Sequence, residues 1–215
     1  MKLTHKIAAL ALSSMTLISP SLLAQEVDVT ITNLTKGMLF TPLLVAAHPS
    51  NEALFTSGGT ASLALQKMAE GGDTSDLTTD LTATNAVISN NPASGLLAPG
   101  ASTTTTLNID DASNSNLSIV AMMLPTNDGF IALNNAPIPT EEGTYTYKVN
   151  AYDAGTEAND EIINGGGAPN TPGIPGGASN TGATGVAGVS AEGYIHIHRG
   201  SLGDFEANGG ISDLD

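Results

Sequence analysis

The chain has 215 residues, with 21 Asp and Glu against 6 Lys and Arg, a formal charge of −15 at neutral pH. Lys2 and Lys6 precede Gln25 whereas every acidic residue follows it, so the remainder is more acidic still; phosphate backbones need clustered Lys and Arg, which argues against nucleic acid as a partner. Cysteine is absent, and with it go disulfides, thiolate metal sites and cysteine nucleophiles. Trp is absent too, which argues against an aromatic platform for sugars, although four tyrosines could still form one stacking surface.

The first two dozen residues have the parts of an export signal: Lys2 and Lys6, an apolar run from Ile7 to Ile18, and Ala24 before Gln25-Glu26. The run is interrupted by Ser13 and Ser14, meets Pro20, and is shorter than the roughly 20 residues a membrane span needs. Residues 1–24 are therefore expected to be cleaved, leaving one domain over 25–215 with no membrane span, secreted or held in the periplasm or cell envelope.

Val27 to Leu34 alternates apolar and polar residues over β-branched types, the pattern of a half-buried strand. Met38 to His48 is nearly continuous and apolar, which predicts a strand covered on both faces, with Pro42 at an edge or a bulge. Ala61 to Gly72 suits one short helix, started near Thr60 and stopped by Gly71-Gly72, the only helix expected after the signal. Further strands are predicted at Asn85 to Ser89, Thr103 to Ile109, Leu117 to Leu124, Gly129 to Leu133, Thr144 to Ala151 and Gly193 to His198. From Asn164 to Gly188 the chain is mostly Gly, Pro, Asn, Ala and Thr, and reads as a long surface loop inside the domain. Many short strands with turn signals between them give an all-β fold, an antiparallel β-sandwich with one short helix and a long Gly/Pro-rich loop.

Two acidic segments each follow a strand directly: Pro125 to Phe130, and Tyr152 to Glu161. A hard cation such as calcium takes six to eight oxygens at about 2.3–2.6 Å, and loops at one end of a sandwich can supply them from separate places in the chain. Asp-Gly and Asn-Asp also form turns for backbone reasons alone, so the segments by themselves leave both readings open. His196 and His198 alternate onto one face of a strand and His48 ends another, but no third ligand is fixed by spacing, and ordinary packed histidines are the simpler reading. Catalytic signatures are missing: there is no G-x-S-x-G elbow, H-E-x-x-H, P-loop or dinucleotide fingerprint.

Taken with Phe40 to His48, Leu54 to Gly58, Ala61 to Leu77 and Ser118 to Leu133, the run Ala151 to Glu161 resembles the spondin domain, in order from about Val27 to His198. The chain resembles the bacterial branch of that family, whose animal members are extracellular-matrix and integrin-binding proteins built as antiparallel β-sandwiches. The resemblance implies calcium ligands in the P-x-x-D segment and in the D-A-G-T-D run. Asp128 and Asp153 match directly, while the last acid of the run is Glu157 here, a longer side chain. Asn108 and Asp110, on and just past the Thr103 to Ile109 strand, could add oxygens, although no family motif carries them. A second departure is the C-terminus: the family continues to a final strand rich in Val and Arg, whereas this sequence stops at Ile211 to Asp215, which points to truncation; a truncated chain would lack that final strand and leave an edge strand without its partner.

The resemblance thus implies a non-enzymatic calcium-binding module for adhesion or recognition, with an extracellular or cell-surface protein or glycan as its partner. Two other readings stand beside it. One is a secreted metal-dependent hydrolase of an envelope or matrix polymer, using a metal-bound water near the same acids; the other is a metal-free structural surface protein.

Overall fold

The computed structural model describes residues 25–157 and 191–200. The expected export signal over 1–24, the expected loop from Asn164 to Gly188 and the chain end at Ile211 to Asp215 lie outside the described residues. Nine strands and two helices follow in order: β1 (Gln25–Thr32), β2 (Leu39–Phe40), β3 (Leu44–His48), α1 (Leu63–Gly71), α2 (Ser75–Ala83), β4 (Val87–Asn90), β5 (Ser102–Ile109), β6 (Asn116–Leu124), β7 (Gly129–Pro137), β8 (Asn150–Asp153) and β9 (His196–Ile197). The fold is an all-β sandwich of two antiparallel sheets. A two-stranded ribbon, β1 against β5, covers one face of a larger sheet ordered β4-β3-β6-β7-β8-β9, with β2 also paired to β6.

The central strand is β6, and its sequence NLSIVAMML is buried at all nine positions. Strand side chains alternate between faces, so one strand feeds two cores. Ile119, Ala121 and Met123 join Val45, Ala47 and Ile131 beneath Val29, Leu107 and Ile109 of the ribbon. On the opposite face, Val120 joins Leu44, Ala46, Phe130 and Ala132 beneath Leu65, Met68, Leu77 and Leu81 of the helices. Each fully buried Leu, Met or Phe contributes about 1.5–3 kcal/mol of burial free energy.

Between the pairs Phe40–Met123 and Leu44–Val120, Thr41, Pro42 and Leu43 stand opposite only Ala121 and Met122. That is a β-bulge, and Pro42 occupies it as its missing N–H requires. Helix α1 begins at Ser62, whose hydroxyl accepts from the Leu65 amide at 3.1 Å, and ends at Gly72 with φ +69°, a left-handed cap.

Three elements differ from the sequence expectation. A second helix, α2, follows the first; its sequence SDLTTDLTA buries only Leu77 and Leu81, a stripe two residues wide. Residues 144–149 pair with no described strand and are exposed, so β8 begins only at Asn150. Finally, β7 continues to Pro137, four residues past the apolar run. No helix among the described residues is long and apolar enough to cross a membrane.

Candidate functional site

The antiparallel register sets Gly129 opposite Asp153 and Phe130 opposite Tyr152. The β6–β7 turn therefore lies beside the chain that leaves β8. Thr126 ties that turn, its hydroxyl donating to Met123 O at 2.6 Å and accepting from the Gly129 amide at 3.1 Å. A Cβ at Gly129 would fall 2.6 Å from that hydroxyl, so a side chain there would break the turn.

Asp128 points inward at 2% exposure, Asp153 likewise at 2%, and Glu157 at 1%. One carboxylate oxygen of Asp128, Oδ2, accepts three hydrogen bonds: Thr156 N at 2.7 Å, Thr156 Oγ1 at 3.1 Å and Glu157 N at 3.0 Å. Asp128 O also accepts from Ala154 N at 3.2 Å. The two acidic segments are thereby laced together although 28 residues separate Asp128 from Thr156. Asp153 Oδ1 accepts from Gly155 N at 2.7 Å, an Asx turn that bends the chain at Gly155, where φ is +66°. Any Cβ at Gly155 would lie 2.3 Å from Tyr194 O, so glycine is what lets residues 191–200 pack against this turn. That segment is further held by Gly193 N to Gly155 O at 2.9 Å and by the paired bonds Gly58 N to Ile195 O and Ile195 N to Gly59 O, at 2.7 and 2.8 Å.

The ends of β7 and β8 also carry an aromatic cluster. Phe130 stacks on Tyr152 with ring centres 5.6 Å apart, and Phe55 meets both edge-on at 5.3 and 4.9 Å. Burial, and then the neighbouring Asp153 charge, push Asp128 up to about 7 against the opposing pull of its hydrogen bonds. Burial also raises Asp153, offset in part by the Gly155 amide and by His196 and Arg199. Burial, together with the nearby His196 and Arg199 charges, lowers His198 to about 4.

Of the residues singled out in the sequence, Asp128 and Asp153 are brought near one another, and Glu157 joins them through its backbone amide on Asp128 Oδ2. Asn108 and Asp110 do not join them. Both are exposed, and β5 turns through them into the start of β6, whereas Asp128 follows the end of β6. Nine residues of strand, at about 3.3 Å each, lie between the two places. His48 likewise pairs with Asn116 at the far end. His196 does reach the acids, with Nε2 3.5 Å from Asp153 Oδ1 and 3.6 Å from Glu192 Oε1. Glu192 was not foreseen; its one sequence signal is its position four residues before His196, and the Gly155–Tyr194 contact that docks it has no motif.

The family model described as Spondin_N matches residues 33–165, more than half of the chain, including Asp128, Asp153 and Glu157. No curated protein matches the chain.

Proposed function

Because the chain belongs to the spondin-domain family, we propose that it is an exported recognition module whose binding face is held rigid by one calcium ion on Asp128, Asp153 and Glu157. The supporting observation is that buried Asp128 and Asp153 stand near enough to interact electrically, with the Thr156 and Glu157 amides of the second acidic segment bonded to Asp128 Oδ2 and the Glu157 side chain itself buried. Crowded buried acids repel one another, and a divalent cation would relieve that repulsion while leaving the carboxylates ionised. A bound calcium ion would supply positive charge; the chain supplies the carboxylate oxygens on loops held by Thr126, Thr156 and Gly155. Extracellular location and an acidic, cysteine-free surface fit a partner that is an extracellular or cell-surface protein or glycan. Hydrolysis of a polymer is disfavoured, because acids only 1–2% exposed give a chain-like substrate no approach to the site.

Thermal unfolding of the mature protein in excess calcium and in chelator tests this. Calcium at about 100 times its dissociation constant adds about 2.7 kcal/mol, and at roughly 2–4 °C per kcal/mol for a domain this size the midpoint should rise by about 5–10 °C. The Asp128→Asn, Asp153→Asn double variant should lose the rise. An unchanged midpoint in the parent protein would sink the calcium claim and leave the fold standing.

A further inference from the structure

Two histidines of this chain make the same first hydrogen bond and differ in the second. His48 Nδ1 lies 3.0 Å from Pro49 O, and His196 Nδ1 lies 3.0 Å from Ile197 O. A carbonyl can only accept, so in both rings Nδ1 carries the proton and donates. His48 Nε2 then meets the Ser118 hydroxyl at 2.7 Å, a donor that satisfies it. His196 Nε2 is equally shielded from solvent, but among the described residues it meets no hydrogen-bond partner. What it faces instead are the carboxylate oxygens of Asp153 and Glu192, at 3.5 and 3.6 Å.

Those separations are too long for hydrogen bonds, whose heavy atoms lie about 2.7–3.2 Å apart. They do match the edges of a coordination tetrahedron: bonds of about 2.0–2.2 Å to zinc give ligand–ligand edges of about 3.3–3.6 Å. The three ligand atoms of Asp153, Glu192 and His196 all lie within 4.8 Å of one another. The backbone carbonyl on Nδ1 is also the outer partner that metal-binding histidines commonly have, fixing the tautomer and presenting the Nε2 lone pair.

We propose that Asp153, Glu192 and His196 form a site for a zinc-class divalent cation, a borderline metal that accepts imidazole, distinct in donor set from the all-oxygen calcium site. The two share Asp153 but neither depends on the other. The zinc-class site joins β8 to residues 191–200 through a metal bridge, where the calcium site joins the β6–β7 turn to residues 153–157.

The test titrates the full mature chain with zinc in saturating calcium, and separately with cobalt(II), whose visible bands are strong in tetrahedral and weak in octahedral coordination. One equivalent of zinc should bind, and cobalt should give the tetrahedral spectrum. His196→Ala and Glu192→Gln should each weaken zinc at least about tenfold, the scale on which even outer-sphere partners act, with the calcium-dependent rise kept. Because the chain has no cysteine, His196→Cys offers a gain of signal: a sulfur-to-cobalt charge-transfer band that reports contact directly. Zinc binding that is absent in the parent, or equally tight in the His196→Ala, Glu192→Gln double variant, overturns the proposal. A missing calcium response with intact zinc binding overturns the calcium reading alone.

Discussion

The two ends of β6 hide polar groups in opposite ways. At the Asn116 end the buried groups are neutral and joined to one another. His48 takes the Ser118 hydroxyl, Ser118 Oγ accepts from Asn135 N at 2.8 Å, and Asn116 Nδ2 donates to Asn135 O at 2.9 Å, all around the irregular pairing between Leu117 and Ile119. Past the Leu124 end, acids are buried against acids. Neutral groups that satisfy one another hold a bulge in place. Like charges packed together cost stability, and a fold keeps them where a cation or a partner offsets the cost.

Several substitutions would break or sharpen that contrast. The largest effect should come from Phe130→Ala, which empties the buried aromatic cluster next to the acidic turn: a loss of about 3–5 kcal/mol in denaturant unfolding is expected, with calcium affinity falling alongside. Ser118→Ala at the opposite end leaves His48 Nε2 and Asn135 N–H unsatisfied and should cost about 1–3 kcal/mol. Its calcium-dependent midpoint shift should match that of the parent protein; a changed shift would show that the two ends are not separate in role.

A smaller effect concerns pH, measured in chelator. In the fold Asp128 holds its proton up to about 7, whereas the unfolded chain releases it near the ordinary 3.8. Between those values the folded state carries more protons, so through this group stability falls as pH rises from about 4 to 7. His198 has the opposite sign. Its folded value of about 4 lies below the ordinary 6.5, so as pH drops across that interval the unfolded chain takes up the proton first and stability falls. Asp128→Asn removes the first contribution and should make the midpoint decline more steeply between pH 7 and 4, while His198→Gln should flatten it. The smallest effect belongs to Asn108→Ala with Asp110→Ala, exposed at the far end: within about 0.5 kcal/mol, with an unaltered calcium response.

The strands that carry the core were legible because their patterns report burial directly. The alternation of VDVTIT and TTTTLNI marks a ribbon with one wet face, and the unbroken SIVAMML marks a strand between two layers. Pattern does not report partners, however. TYTYKVN alternates as cleanly as any strand, yet Tyr145, Tyr147 and Val149 stay exposed, because alternation describes a face and a strand also needs a neighbour to bond. Helix α2 escaped for the converse reason: four of its nine residues are Ser or Thr, weak helix formers, and it is held by packing Leu77 and Leu81 and by the ion pair of Asp76 with Lys67 of α1. Asp128, Asp153 and Glu157 stood out through the family resemblance, whereas Glu192 depends on a backbone contact at Gly155 that single-residue signals do not carry.

A strand that serves two cores at once leaves neither layer able to melt by itself. The ribbon cannot leave without baring Ile119 and Ala121, nor the helices without baring Val120, and both sets hang from the same backbone. Amide protons along β6 should accordingly exchange with solvent only through opening of the whole domain, and so at a single free energy from Asn116 to Leu124. An ion bound past the Leu124 end would then slow exchange at Leu117 as much as at Met123, so occupancy at one pole of the sheet is readable at the other without any movement between them.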